Sequence, residues 1–168
     1  MKNVSMFVFC IGLALSMIVS CTGAPAEAEI RGAAAPEIEM SFNEVEGKEW
    51  LLSELRIAGR TVQIDRQKLE MDNMRDFFSI TFQEGRVSGV AAPNLYHGPY
   101  TIGSGKVLNI GLLASTLMAA FFELEELKEH EYYAYLSRVT RWNLLGGKLE
   151  LYSTTNDGAE LVLAFTQK

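Results

Sequence analysis

The segment 77-FFSITF-82 places Phe78, Ile80 and Phe82 on one side of an extended chain and Ser79 and Thr81 on the other. A repeat of two is the mark of a strand with one dry face, because successive side chains leave a pleated backbone in opposite directions. A helix would scatter the same residues around its circumference. Just beyond, Glu84-Gly85 supplies a hairpin signal, since glycine reaches positive φ without steric cost. The stretch therefore reads as a strand running into a tight turn, and the same grammar recurs through much of the chain.

Trp142 and Leu144 alternate with Arg141 and Asn143, Leu149 and Leu151 with Lys148 and Glu150, and Leu161, Leu163 and Phe165 repeat the pattern near the end. Around Trp50 the phase slips: Trp50 and Leu52 fall on one side, Leu55 and Ile57 on the other, and a bulge around Ser53 and Glu54 reconciles them. Further turn signals sit between these runs at Ala58-Gly59, Gly103-Ser104-Gly105, Gly146-Gly147 and Asn156-Asp157-Gly158. Short connections make neighbouring strands antiparallel, and no alternation of strand with helix supports a doubly wound sheet. One segment differs. The run 115-STLMAAFFELEELKEHEYYAYLSRV-139 has no Gly or Pro and predicts a single helix from about Leu117 to Ser137, capped by Ser115 or Thr116. Phe121, Leu124, Leu127, Tyr132, Tyr135 and Leu136 would form its apolar side. The expected fold is mainly β with one helix, of α+β class: an antiparallel, strongly twisted or barrel-like sheet of about eight strands with a late helix.

Working outward to the N-terminus, 4-VSMFVFCIGLALSMIVS-20 is uncharged and follows Lys2, as a signal peptide does, and it is shorter than the roughly 20 apolar residues of a membrane span. It leads into 18-IVSC-21, which resembles the lipobox of bacterial lipoproteins. The resemblance implies cleavage before Cys21 and lipid on its sulfur, with fatty acids such as palmitate as the membrane anchor. Residues 21–41, rich in Ala, Glu and Pro, read as the lipidated cysteine and a flexible tether, and 42–168 as the folded domain. Cys10 would leave with the signal, so the mature domain carries no free thiol and no disulfide. Loss of residues 1–20 removes one charge, Lys2, and moves the formal net charge from −6 to −7. An acidic chain without gathered Lys and Arg is not built for nucleic acid, whose phosphates require them.

The remaining motifs carry little chemistry. The run 98-GPYTIGSGKV-107 ends in Gly-Lys but lacks P-loop spacing, and Lys106 is followed by Val107 and a strand pattern, so it reads as a hairpin turn. His97 and His130 lie on different elements, and no metal set or cofactor motif is evident. The acids Glu123, Glu125, Glu126, Glu129 and Glu131 read as a solvated face. Ser88, Ser104 and Ser115 sit in no nucleophile motif, so no catalytic residue is assigned and no enzyme is expected. The irregular stretch 91-AAPNLYHGPYT-101 leaves Asn94, Tyr96, His97 and Tyr100 as a possible contact surface, set against a structural role in which Asn94 shapes the loop and the phenols anchor it.

The order of 86-RVSGVAAPNLYHGPY-100, 107-VLNIGLLASTLMAA-120, a Glu-rich segment, a Trp-containing strand, Gly158 and a final apolar strand resembles the META domain, the family that includes the heat-shock-associated HslJ proteins. The shared features are Gly89, Asn94, Tyr96, Gly98, Tyr100, Ser115-Thr116 and Met118. Where the family often has Gly-Cys-Asn this chain has Ala92-Pro93-Asn94, and Ala120 stands near a second family cysteine; if those cysteines pair, both partners are gone here. The resemblance implies a non-enzymatic protein of structural, stress-protective or protein-contact role. Together with the lipobox, this places the expected protein in the cell envelope, facing periplasm or cell surface, with the membrane and an envelope protein as partners. The alternative is a carrier of small apolar ligands, of lipocalin-like character, since a closed sheet can enclose a cavity.

Overall fold

The computed structural model describes residues 41–119 and 124–168. The signal peptide, Cys21, the tether up to residue 40, Ala120, Phe121, Phe122 and Glu123 lie outside the described residues. A short 3-10 turn, Phe42–Glu44, leads into β1 (Glu49–Ile57), β2 (Arg60–Gln63), α1 (Arg66–Met71), β3 (Ser79–Gln83), β4 (Arg86–Val90) and β5 (Leu95–Ile102). There follow β6 (Leu108–Ile110), β7 (Ala114–Ser115), α2 (Glu129–Leu136), β8 (Arg141–Leu145), β9 (Lys148–Thr154) and β10 (Glu160–Gln167).

Eight strands form one antiparallel path in the order β6-β5-β4-β3-β1-β10-β9-β8, with β2 added on β1 and β7 on β5. The two ends of the path meet. Leu108 N–H donates to Thr140 O at 3.1 Å, Trp142 N–H donates to Lys106 O at 3.0 Å, and a bridge pairs Val107 with Arg141. The sheet is therefore a nearly closed barrel, which removes most of the unpaired strand edge that an open sheet would expose.

The expected bulge is present: the β1–β10 register shifts between Leu52 and Glu54. The extra residue, Ser53, donates its hydroxyl to Ala164 O at 3.0 Å, and Trp50, Leu52 and Leu55 all point into the core despite their broken spacing. The turns Ala58-Gly59, Glu84-Gly85 and Gly146-Gly147 have positive φ at both central residues, the geometry that matches the right-handed twist of the flanking strands.

Inside the barrel two aromatic groups occupy opposite ends of β5. At the end bearing the β5–β6 turn, Phe42 packs on Phe82, Tyr100 and Trp142 with ring centroids 5.3, 5.6 and 5.0 Å away. At the other end Tyr132 packs on Phe78 and Tyr96 at 5.3 and 5.9 Å. All but the tilted Phe42–Tyr100 pair are edge-to-face, an arrangement that adds about 0.5–1.5 kcal/mol per pair to the burial of its surface.

Two features depart from the expectations. Helix α1 has no counterpart in the periodicity, because Leu69 is its one buried residue. Asp65 caps it, accepting from Lys68 N–H at 2.9 Å. The helix expected from about Leu117 is shorter: α2 spans Glu129–Leu136, and Ser115 and Thr116 are not its cap. Residues 111–119 form instead an extended strap along β5, with Tyr96 opposite Ser115 and His97 opposite Ala114. Leu124 and Leu127 are buried without being helical. No helix among the described residues is long and apolar enough to cross a membrane.

Candidate functional site

The stretch from Ala91 to Tyr100 turns at Pro93 and then becomes β5, which alternates between inward and outward positions. Asn94, Tyr96 and Tyr100 face inward and are nearly fully buried, whereas His97 is exposed on the outer face, opposite Ser88 of β4. Of the four residues singled out in sequence, three thus belong to the interior.

Asn94 sits where three segments meet. Its side-chain carbonyl accepts from Met118 N–H at 2.6 Å and from the Thr116 hydroxyl at 2.9 Å. Its amide donates to Glu129 Oε2 at 2.9 Å and to Met118 O at 3.3 Å. The Thr116 hydroxyl in turn accepts from Leu95 N–H at 3.1 Å, and Thr116 N–H donates to Leu95 O at 3.0 Å. The Asn94 amide thus acts together with the Leu95–Thr116 bonds and the β5–β7 pairing to fasten the 111–119 strap to the start of β5, occupying backbone groups that a helix there would need.

Glu129, at the start of α2, completes the joint. Its Oε1 accepts from Ala92 N–H at 3.2 Å, Asn94 N–H at 3.0 Å and the Tyr133 hydroxyl at 3.3 Å. The first two are backbone donors of a turn that has no strand partner, so the carboxylate supplies what the sheet does not. The solvated-face reading is corrected for this residue: Glu129 is half-buried and bonded, while Glu125 and Glu126 are exposed. Glu131 accepts from Lys128 N–H at 2.9 Å and so closes the first turn of α2.

The phenols anchor the sheet from within. Tyr96 donates to Ser79 O at 2.8 Å and lies 3.2 Å, oxygen to oxygen, from the Tyr132 hydroxyl. Burial pushes both of these hydroxyls well above the usual tyrosine pKa. Gly89 makes room for them: a Cβ there would stand 2.1 Å from Ser79 O and 2.8 Å from the Tyr96 hydroxyl. At the far end of β5, Tyr100 donates to Glu46, and burial together with that carboxylate pushes its pKa up to about 12.

On the outer face of β1, β9 and β10 lies a separate ion-pair network that periodicity could not reveal. Arg56 bonds Glu150 and lies 2.9 Å from Glu54, and Tyr152 donates to Glu150 at 2.7 Å. Burial raises the pKa of Glu150, but the Arg56 and Tyr152 bonds outweigh it and hold the carboxyl below its ordinary value.

No group of three or more His, Cys, Asp or Glu that could hold a metal is found among the described residues. A mostly apolar cleft of about 260 Å³ lies between the strap and α2, lined by Leu112, Leu113, Ser115, Tyr133, Ala134 and Ser137. The strap itself presents Leu112, Leu117 and Met118 to solvent at 91, 98 and 59% exposure, beside Leu95 at 58%.

A nearly closed antiparallel barrel with aromatic-filled ends and a pinned strap defines a class of small β modules. The sequence matches the META domain family over residues 43–168, and the chain belongs to that family. Among solved structures it is similar to a protein from Burkholderia xenovorans determined by NMR, with 20% identity over 75% of this chain and 85% of that one, at a TM-score of 0.54. A DUF4847 family protein from Bacteroides vulgatus is similar at 12% identity over 74% of this chain and 95% of that one, at a TM-score of 0.49. No curated protein matches the chain.

Proposed function

We propose that this chain is a lipid-anchored protein of the cell envelope whose META domain is a non-catalytic contact module, serving a structural or stress-protective role. The observation that carries this reading is the apolar strap: Leu112, Leu117 and Met118 project outward from a backbone segment that Asn94 and Thr116 hold in place. Exposed leucines on a fixed backbone lose little conformational freedom on contact, which favours association with another apolar surface. The non-catalytic reading is supported by the loop, where the Asn94 amide and the Tyr96 and Tyr100 hydroxyls are occupied in holding the fold. The alternative of an apolar-ligand carrier draws no support from the barrel axis, which Trp50, Phe78, Phe82, Phe165 and Tyr132 fill at 0–1% exposure. The anchor at Cys21 rests on the sequence 18-IVSC-21.

The test is the double substitution Leu112→Ser with Leu117→Ser in the full chain. Both residues are almost fully exposed, so the melting temperature should stay within about 2 °C. Crosslinked envelope partners recovered with the parent chain should be lost. Retention of the same partners by the doubly substituted chain would contradict the reading.

A further inference from the structure

We infer that the strap pairs with the strap of a second copy of this chain, joining two barrels edge to edge about a two-fold axis at Ser115. The inference rests on the strap being the contact surface proposed above, and it names the partner.

The first observation is an open strand edge. Ala114, Thr116 and Met118 turn their backbone toward β5 and Asn94: Ala114 stands opposite His97, Thr116 N–H donates to Leu95 O at 3.0 Å, and Met118 N–H donates to Asn94 Oδ1 at 2.6 Å. Backbone groups alternate in direction along a strand, so those of Leu113, Ser115 and Leu117 point the other way. They bond no group among the described residues, where β7 pairs with β5 alone. Ser115 and Leu117 are exposed, and the apolar cleft between the strap and α2 has Leu113 and Ser115 in its wall. Edges left to solvent are usually guarded by charge or proline, and from Gly111 to Ala119 this strap has neither.

The second observation is a symmetry in the sequence. The run 112-LLASTLM-118 reads alike in both directions about Ser115: Leu112 mirrors Met118, Leu113 mirrors Leu117, and Ala114 mirrors Thr116. Two copies laid antiparallel about Ser115 therefore set apolar against apolar and small against small. The same register brings the free backbone groups of Leu113 opposite those of Leu117 in the other copy, and Ser115 opposite Ser115, as hydrogen-bonded pairs. A two-fold interface requires such self-complementarity, because one surface serves both copies. Charge and area agree with it. A formal net charge of −6 sets two copies against each other over most faces, and the strap is a place where they meet without like charges. Leu95, Leu112, Leu117 and Met118 together expose on the order of 500 Å² per copy, which brings two copies to about the 1,000 Å² floor of a specific interface.

The test is disulfide crosslinking of the full chain in intact cells, with the parent chain, whose own cysteines are Cys10 and Cys21, as control. Opposed residues of a hydrogen-bonded antiparallel pair have Cα atoms about 5.5 Å apart, a span that a disulfide bridges. Ser115→Cys should therefore give a two-chain product on mild oxidation. Leu112→Cys, at a position 91% exposed, should give none by itself, because the two copies of that position would stand about 20 Å apart. Co-expressed with Met118→Cys, which the register places opposite it, the same variant should crosslink. Leu117→Lys puts a guard on the edge and should cut the Ser115→Cys product by about tenfold or more. No two-chain product from Ser115→Cys, an equal product from Leu112→Cys alone, or a yield unchanged by Leu117→Lys overturns the inference. Should one of these results come with capture of other proteins by a photo-reactive side chain at position 117, the second copy is wrong and the contact reading stands; should nothing be captured there, both fall.

Discussion

Replacing Asn94 by alanine removes four hydrogen bonds at once, and the structure allows the loss to be sized. Two of them join Asn94 to Met118, one to Thr116 and one to the Glu129 carboxylate. A neutral bond contributes about 0.5–1.5 kcal/mol and one to a charged group about 1.5–3 kcal/mol. Thr116 and Met118 are exposed, so water can reclaim their groups, and their share falls toward the low end. Glu129 keeps its bonds to the backbone of Ala92 and residue 94. The expected loss is about 3 kcal/mol, which for a domain of this size lowers the melting temperature by about 10 °C. Thermal unfolding by far-ultraviolet circular dichroism measures it, and hydrogen exchange should show faster exchange at Thr116 and Met118. Asn94→Asp sharpens the test, because the new carboxylate would face Glu129 where an amide donated. At neutral pH it should be as destabilising as alanine or more, because two like charges would meet where a hydrogen bond stood. A melting temperature within about 2 °C of the parent for Asn94→Ala, with unchanged exchange in the strap, would refute the assignment of Asn94 as the joint.

Gly89→Ala should cost about 3 kcal/mol or more in urea unfolding, because the added methyl meets the Ser79 carbonyl at 2.1 Å and neither strand can yield without breaking the ladder. Arg56→Met should leave Glu150 nearly buried without its cation. Because the folded pKa of Glu150 lies below its ordinary value, the parent gains stability above about pH 4.5 that fades as pH falls through the folded value; the variant should lack this gain, and its acid unfolding midpoint should move to higher pH. The phenols behave oppositely in sign. Tyr100 and Tyr133 are pushed up to about 12, so their contribution is intact below about pH 10 and is lost as pH rises toward 12; phenolate absorbance should rise later in the native protein than in denaturant. Cys21→Ala should abolish lipid labelling and release the protein from the membrane fraction, and persistence of both would contradict the anchor.

Strands were legible where one face is dry: in β8 Trp142 and Leu144 are buried between less buried neighbours, in β3 Ile80 and Phe82 flank a half-buried Thr81, and the slip at Ser53 appears as a true register shift. In β10 that alternation is partly hidden, since Val162 and Ala164 on the outer face are also buried. Residues 115–119 misled for a physical reason. They favour a helix locally, but Asn94, more than twenty positions earlier, captures Thr116 and Met118, and a long-range bond from side chain to backbone leaves no local period. Glu129 is indistinguishable in composition from its neighbours, yet among the described acids of that run it is the one bonded to the turn at Ala92. Asn94, Tyr96 and Tyr100 could be singled out in sequence because they interrupt the alternation. That they turn inward depends on the β5 register, which only the assembled sheet fixes.

The contact role is tested most directly by photo-crosslinking in intact cells from a reactive side chain placed at Leu117, compared with one at Arg60 in the β1–β2 hairpin, both exposed. The account predicts adducts of discrete mass from position 117 that are absent from position 60. The absence of adducts at 117, or an identical set from both positions, would contradict it.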